Sequence, residues 1–304
     1  MKLFHTDLFV LPLPDGHRFP MQRYRLLRER LERSGIFGSD QMCVPPAATD
    51  DQLLLVHTAD WVERVSSGEL SDIELRRIGF PWSVQMAERS RRSTGATVAA
   101  SESALSDGVS ANLAGGTHHA FADRGAGYCV FNDVAVAIRT MQRDKRIGQA
   151  MVIDGDVHQG DGTAHIFSGD PTVTTFSLHA KKAFPARKQC SDLDIELQPL
   201  CCTDEYIAQL RNGLSWAARQ VKPDLVYYLA GADPFEKDTL GGLSVSKAGL
   251  AKRDRLVFQF CRDLNVPLVI TLAGGYAEEI ADIVDIQFQT IVLANRMLAQ
   301  SDTA

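Results

Sequence analysis

Three aspartates and a histidine fall within the eight residues Asp154-Gly155-Asp156-Val157-His158-Gln159-Gly160-Asp161, directly after the apolar run Met151-Val152-Ile153. Open α/β sheets bind ligands just beyond the carboxyl ends of their strands. Where the backbone stays extended, Asp154, Asp156 and His158 project the same way, because strand side chains alternate with period two. Such a row supplies two metal ligands and one supporting acid. By itself an Asp-x-Asp-x-His run is as readily a set of turn residues and caps. A second acidic loop decides between the two: Leu225 to Ala230 opens into Gly231-Ala232-Asp233, which brings Asp233 to the same rim. Asp156, His158 and Asp233 then form a three-ligand site with an open position for water, as in catalytic rather than structural metal centres. Zinc is the first choice, and two carboxylates with one imidazole also suit iron(II), cobalt or manganese.

Two further segments can supply acid-base and electrostatic groups. Leu113-Ala114-Gly115-Gly116-Thr117-His118-His119 reads as a short strand ending in two glycines and adjacent histidines. A neutral imidazole titrates near working pH, so the pair suits proton transfer, and each ring needs an acid to set its tautomer. Asp154 and Asp161 remain available for that. Leu268 to Leu272 leads into Ala273-Gly274-Gly275-Tyr276, where the Tyr276 phenol can donate to an oxyanion.

These loops need a scaffold. Met151 to Ile153, Thr172 to Leu178, Leu225 to Leu229 and Leu268 to Leu272 read as strands, and helical periodicity covers about 20–34, 83–106, 132–143, 204–220, 246–263 and 278–298. Alternating β and α segments predict one domain, a three-layer α/β/α fold around a mostly parallel sheet. No Pro-, Gly- or Ser-rich linker and no internal repeat divides the 304 residues. Segments 7–20, 43–51, 115–128, 180–203 and 231–244 read as irregular, the long ones as active-site loops.

Apolar residues at 45% and charged residues at 23% exclude a disordered or fibrous class. A net charge of −6 argues against an extensive nucleic-acid surface, and the basic clusters Arg23 to Arg33 and Arg89 to Arg92 read as solvated helix faces. No apolar run is long enough to cross a bilayer, and the first residues do not form a secretory signal. The six cysteines show no CxxC spacing, so they read as reduced thiols in a cytoplasmic protein.

In their order and wording these segments resemble the histone deacetylase family of the arginase-deacetylase fold, over about His17 to Tyr276. The resemblance is carried by Gly115 to His119, Gly127-Tyr128-Cys129-Val130-Phe131-Asn132-Asp133, Asp154 to Gly162, Ser177-Leu178-His179, Gly231-Ala232-Asp233 and Gly274-Gly275-Tyr276. Phe184-Pro185, Ser191 to Ile195 and Asp204-Glu205-Tyr206 are most similar to bacterial members akin to class IV deacetylases. The resemblance implies that Asp156, His158 and Asp233 bind zinc, that His119 with Asp161 is the general base, and that His118 with Asp154 adds electrostatic stabilisation. Tyr276 would polarise the acyl carbonyl, and Gly127, Tyr128 and Phe184 would line the tunnel for an acylated amine. It further implies a potassium ion held through Asp154, Asp156, His158, Ser177 and Leu178, with a second monovalent site around Phe167, Asp170 and Val173. Ala273 in place of a glycine, Gln159 in place of a second histidine, and Tyr128 in place of a phenylalanine depart from the family pattern.

The expected reaction is hydrolysis of an acyl amide, with an acylated lysine or an acylated small amine as substrate and no organic cofactor. An acetylpolyamine hydrolase of the same fold is the nearest alternative. A guanidine-cleaving, arginase-like enzyme would need a second metal and more ligands. A non-catalytic acyl-lysine binding module would not need His119 or Tyr276, and both are present.

Overall fold

In a computed structural model the described residues are 1–299. Eight strands, β1 (Lys2–Phe4), β2 (Met42–Cys43), β3 (Val109–Asn112), β4 (Ala150–Asp154), β5 (Val173–Ala180), β6 (Leu193–Leu197), β7 (Leu225–Leu229) and β8 (Leu268–Thr271), form one sheet in the order β2-β1-β3-β8-β7-β4-β5-β6. Every pairing is parallel. The helices are α1 (Arg23–Arg33), α2 (Asp50–Leu53), α3 (Ala59–Ser67), α4 (Asp72–Ile78), α5 (Val84–Asp107), α6 (Asp133–Arg143), α7 (Asp161–Ile166), α8 (Thr203–Ala217), α9 (Lys247–Leu264) and α10 (Ile280–Leu298).

The central strands are apolar throughout because both faces of the sheet are covered. Met151, Ile153, Val226, Tyr228, Leu268 and Ile270 join a core with residues of α1, α8, α9 and α10. Their neighbours Ala150, Val152, Leu225, Tyr227, Leu229 and Val269 join a second core with α3, α5 and α6. The period-two alternation thus distributes each strand between two helical layers, which is the expected three-layer α/β/α arrangement. Burying each large side chain stabilises the fold by about 1.5–3 kcal/mol.

The four clearest sequence-assigned strands are present, the fifth, at Leu113-Ala114, is not, and the six long helices lie within a few residues of the expected bounds. Several details differ. The histidine strand ends at Asn112 rather than running on through Leu113-Ala114, because Asn112 Oδ1 accepts the Ala114 N–H at 2.9 Å and turns the chain. Segment 180–203 is not wholly irregular: Leu193-Asp194-Ile195-Glu196-Leu197 forms edge strand β6, with the apolar-polar alternation of a half-covered strand. Helices α3 and α4 lie outside the stretches read as helical, although α3 is amphipathic, with Trp61, Val62 and Val65 on its buried face. Their caps are also present, with Thr58 Oγ1 accepting the Trp61 N–H and a Ser71/Glu74 capping box. Segment 43–51 likewise contains the Thr49 cap of α2.

The solvated-face reading fails for two arginines. Arg23 is 2% exposed and Arg89 7% exposed, because each guanidinium turns inward onto main-chain carbonyls.

Candidate metal centre

The adjacent strands β3, β8, β7 and β4 deliver the histidine pair, Tyr276, Asp233 and the Asp154–Asp161 run to one rim. Asp156, His158 and Asp233 are all buried and each offers a ligand atom within 4.8 Å of the others. His158 Nδ1 lies 3.0 Å from Asp156 Oδ1 and 3.3 Å from Asp233 Oδ2. The main chain holds the remaining carboxylate oxygens: Val157 N–H donates to Asp233 Oδ1 at 2.9 Å, and Gly274 N–H donates to Asp156 Oδ2 at 2.8 Å. Gly274 is required there, since a Cβ would sit 1.9 Å from Asp233 Oδ2.

This donor set fits a divalent cation. Asp233 Oδ2 is buried without a hydrogen-bond partner, an arrangement that is costly unless a ligand uses the oxygen. Burial acts to lower the pKa of His158, yet Asp156 and Asp233 outweigh it and raise it to about 10. Burial and the nearby Asp156 push Asp233 up to about 7. The pocket between the two carboxylates therefore draws in positive charge, and a metal ion competes with the proton for the same imidazole lone pair.

His118 and His119 pack with ring centroids 4.2 Å apart but carry different partners. His118 Nδ1 lies 2.7 Å from Asp154 Oδ2, and His119 Nδ1 lies 2.6 Å from Asp161 Oδ1. Against the lowering effect of burial, Asp154 and Asp156 raise His118 to about 9. Burial and the His118 charge push His119 down to about 4, despite Asp161. The surroundings thus favour the charged form of His118 and the neutral form of His119. The loop that presents them is held by Asp133, whose carboxylate accepts from Gly116 N–H at 3.0 Å, Thr117 N–H at 2.7 Å and Thr117 Oγ1 at 2.7 Å.

His118, His119, Asp156, His158 and Tyr276 line a cavity of about 290 Å³, together with Gly127, Tyr128 and Phe184. The Phe184 ring stands edge-on to His119 at 4.8 Å, and Tyr128 lies 5.8 Å from Tyr276. A Cβ on Gly127 would meet His119 Cδ2 at 2.6 Å and Phe184 at 3.1 Å, so a side chain there would close the passage. Burial pushes the Tyr276 phenol well above its ordinary value, outweighing the opposing pull of Arg23, so it keeps a proton to donate.

Ser177 pairs in register with Asp154, and both line a second, water-sized cavity of about 10 Å³ beside β5, the strand that carries Leu178. At the other suggested cation site, Asp170 Oδ2 takes Arg139 and its Oδ1 takes Thr172, while the Arg139 guanidinium lies 4.9 Å from the Phe167 ring. Val173 N–H donates to the Asp170 carbonyl at 3.3 Å.

A family model described as histone deacetylase domain matches residues 17–290. The chain belongs to the histone deacetylase family. It is 30% identical to histone deacetylase 2 of Arabidopsis thaliana over 287 residues, covering 91% of this chain and 74% of that one. It is 43% identical to an uncharacterized protein of Picosynechococcus over 282 residues, covering 93% and 94% of the two chains. A crystal structure of an HDAC homolog complexed with SAHA superposes with a TM-score of 0.84 at 25% identity, covering 97% of this chain and 84% of that one. Membership supports a deacetylase, a hydrolase of amide bonds acting on an acylated substrate. Among the described residues no helix is long and apolar enough to cross a membrane.

Sequence reasoning missed several residues around this site. Arg23 donates to the carbonyls of Ala273 and Gly275, each at 2.8 Å, and so braces the Tyr276 segment from α1. Arg253 donates to the Gly231 and Gly155 carbonyls at 2.6 and 3.2 Å, beneath both acidic loops. Neither had a local signal, since an arginine in a helix ordinarily reads as solvent-facing. Of the three departures, only Gln159 has a local explanation, and Tyr128, like Ala273, takes a positive φ, 66°. Gln159 turns away from the histidines and clamps Gln189 and Asp194, while Ala273 holds the left-handed φ of 44° that favours glycine.

Proposed function

We propose that the chain acts as one catalytic domain and removes an acyl group from a lysine side chain or a similar amine, using a divalent metal, zinc by first choice, held by Asp156, His158 and Asp233. The observation that carries this reading is the meeting of that ligand set with two histidine-carboxylate pairs and Tyr276 around one cavity. A bound zinc ion supplies Lewis acidity, polarising the acyl carbonyl and lowering the pKa of water.

The remaining steps belong to the chain. His119 Nδ1 is committed to Asp161, which leaves Nε2 to accept the proton of the attacking water. The same nitrogen returns that proton to the departing amine. His118, whose charged form Asp154 favours from Nδ1, would offset negative charge developing on the carbonyl oxygen, and Tyr276 would donate a hydrogen bond to it. Gly127, Tyr128 and Phe184 orient the acylated arm on its way in. A potassium ion beside Asp154 and Ser177, reached also by Asp156, His158 and Leu178, would steady the Asp154 loop. The six free thiols support a reducing, cytoplasmic setting.

The test is steady-state hydrolysis of acetyl-lysine peptide, longer-acyl-lysine peptide and acetylpolyamine by metal-stripped protein, zinc-restored protein and the zinc-loaded Tyr276→Phe variant. Zinc should restore turnover, and the variant should lose roughly 10²–10³-fold in kcat. The best substrate separates the lysine from the polyamine role. Zinc-restored protein that binds one metal ion yet turns over none of the three would overturn the reading.

A further inference from the structure

Tyr276 follows Gly274 and Gly275, residues whose backbone freedom would let the phenol swing unless something pins the chain. Two successive residues do so from the loop that begins at Asp233. Asp238 Oδ2 accepts the Tyr276 N–H at 2.6 Å, and Thr239 Oγ1 donates to the Tyr276 carbonyl at 2.7 Å. An isolated antiparallel bridge between Asp238 and Ala277 continues the contact. The other Asp238 oxygen, Oδ1, accepts the N–H groups of Leu240 and Gly241 at 2.8 and 3.0 Å, an ordinary Asx-type closure of its own loop. Oδ2 therefore serves a different purpose, reaching 38 residues along the chain to the tyrosine.

The loop itself is stiff. Gly241 packs so tightly on Asp233 that a Cβ there would lie 2.0 Å from the Asp233 carbonyl oxygen. One short segment thus carries a candidate metal ligand at its start and clasps both main-chain polar groups of Tyr276 at its end.

We infer that Asp238, assisted by Thr239, is a positioning residue that sets the Tyr276 hydroxyl relative to the metal ligands. The inference rests on the reading of Tyr276 as the donor to the acyl carbonyl. It acts through a charge-assisted hydrogen bond, and it links tyrosine placement to the loop that presents Asp233.

Asp238→Asn is nearly isosteric, but its amide turns an N–H₂ toward either the Tyr276 N–H or the Leu240 and Gly241 N–H groups, so one contact becomes donor against donor. The variant, Tyr276→Phe and the double variant are compared as zinc-loaded full-length protein on acetyl-lysine peptide. Asp238→Asn is expected to lower kcat about 10–100-fold with KM and zinc stoichiometry unchanged, and to add nothing once Tyr276 is phenylalanine. A loss that multiplies with that of Tyr276→Phe, loss of zinc, or wild-type kcat would overturn the inference. If Asp238→Asn does not fold, Thr239→Val decides: the exposed threonine loses only its hydroxyl bond, and a smaller kcat loss that vanishes in the Tyr276→Phe background is expected, while any other pattern overturns the inference. A Tyr276→Phe protein as active as wild type would overturn the reading of Tyr276 itself, and this inference with it.

Discussion

Two buried charged clusters lie on opposite sides of the Gly155 and Gly231 main chain, and they handle charge differently. Below it, Arg253 pairs with Asp254 at 2.9 Å, and Asp254 also accepts hydrogen bonds from Tyr228 and Thr290 at 2.7 and 2.6 Å. Cation and anion cancel inside the protein. Above it, two carboxylates, Asp156 and Asp233, face the single imidazole of His158, and the cluster borders a cavity. The lower cluster is a strut that fixes both acidic loops through their carbonyls, and the upper one leaves its balance to a ligand. Buried charge is tolerated in both places, but only the unbalanced cluster has binding capacity to offer.

The contrast can be broken most sharply at the rim. Asp233→Ala should reduce zinc affinity by more than the roughly 10–100-fold typical of losing a supporting partner, and abolish measurable turnover. Its metal-stripped form should lose no more than about 1–3 kcal/mol, because the change removes one of two facing buried carboxylates but leaves the Val157 N–H without its acceptor. Calorimetric zinc titration and thermal melts of the stripped proteins check both halves, and a large drop in the stripped melting point would place Asp233 among the structural residues.

At the strut the effect should reverse. Arg253→Met leaves Asp254 buried without its counter-charge, so denaturant unfolding should show a loss of about 3–5 kcal/mol in the metal-free protein. A loss below about 1 kcal/mol would mean that the hydroxyls of Tyr228 and Thr290 suffice to hold Asp254.

A third buried group shows what happens when no counter-charge is near. His57 packs on Phe131 and accepts the Asn132 N–H through Nε2 at 3.0 Å, and burial lowers its pKa from 6.5 to about 4. The unfolded chain takes up a proton at higher pH than the folded one, so stability falls as pH drops below about 6.5, and the full penalty is reached below about 4. Between pH 7 and pH 5 this amounts to about 2 kcal/mol. His57→Gln, which keeps an acceptor but does not titrate, should flatten the unfolding free energy over that window by the same amount; parallel curves for the two proteins would remove His57 from the account.

The resemblance to histone deacetylases, the parallel α/β class and the ligand types at the rim were determined by the sequence alone, because each depends on local order. Short apolar runs, glycines at strand ends and the Asp154–Asp161 run are readable without knowing what they touch. The supporting shell was not. Arg23, Arg253 and Asp238 act on carbonyls and amides brought near only by folding, across 252, 98 and 38 residues. A main-chain partner leaves no side-chain pattern to find. The same holds for the division of labour in the histidine pair: adjacent in sequence and identical in type, His118 and His119 are separated only by which carboxylates the tertiary structure sets beside each ring.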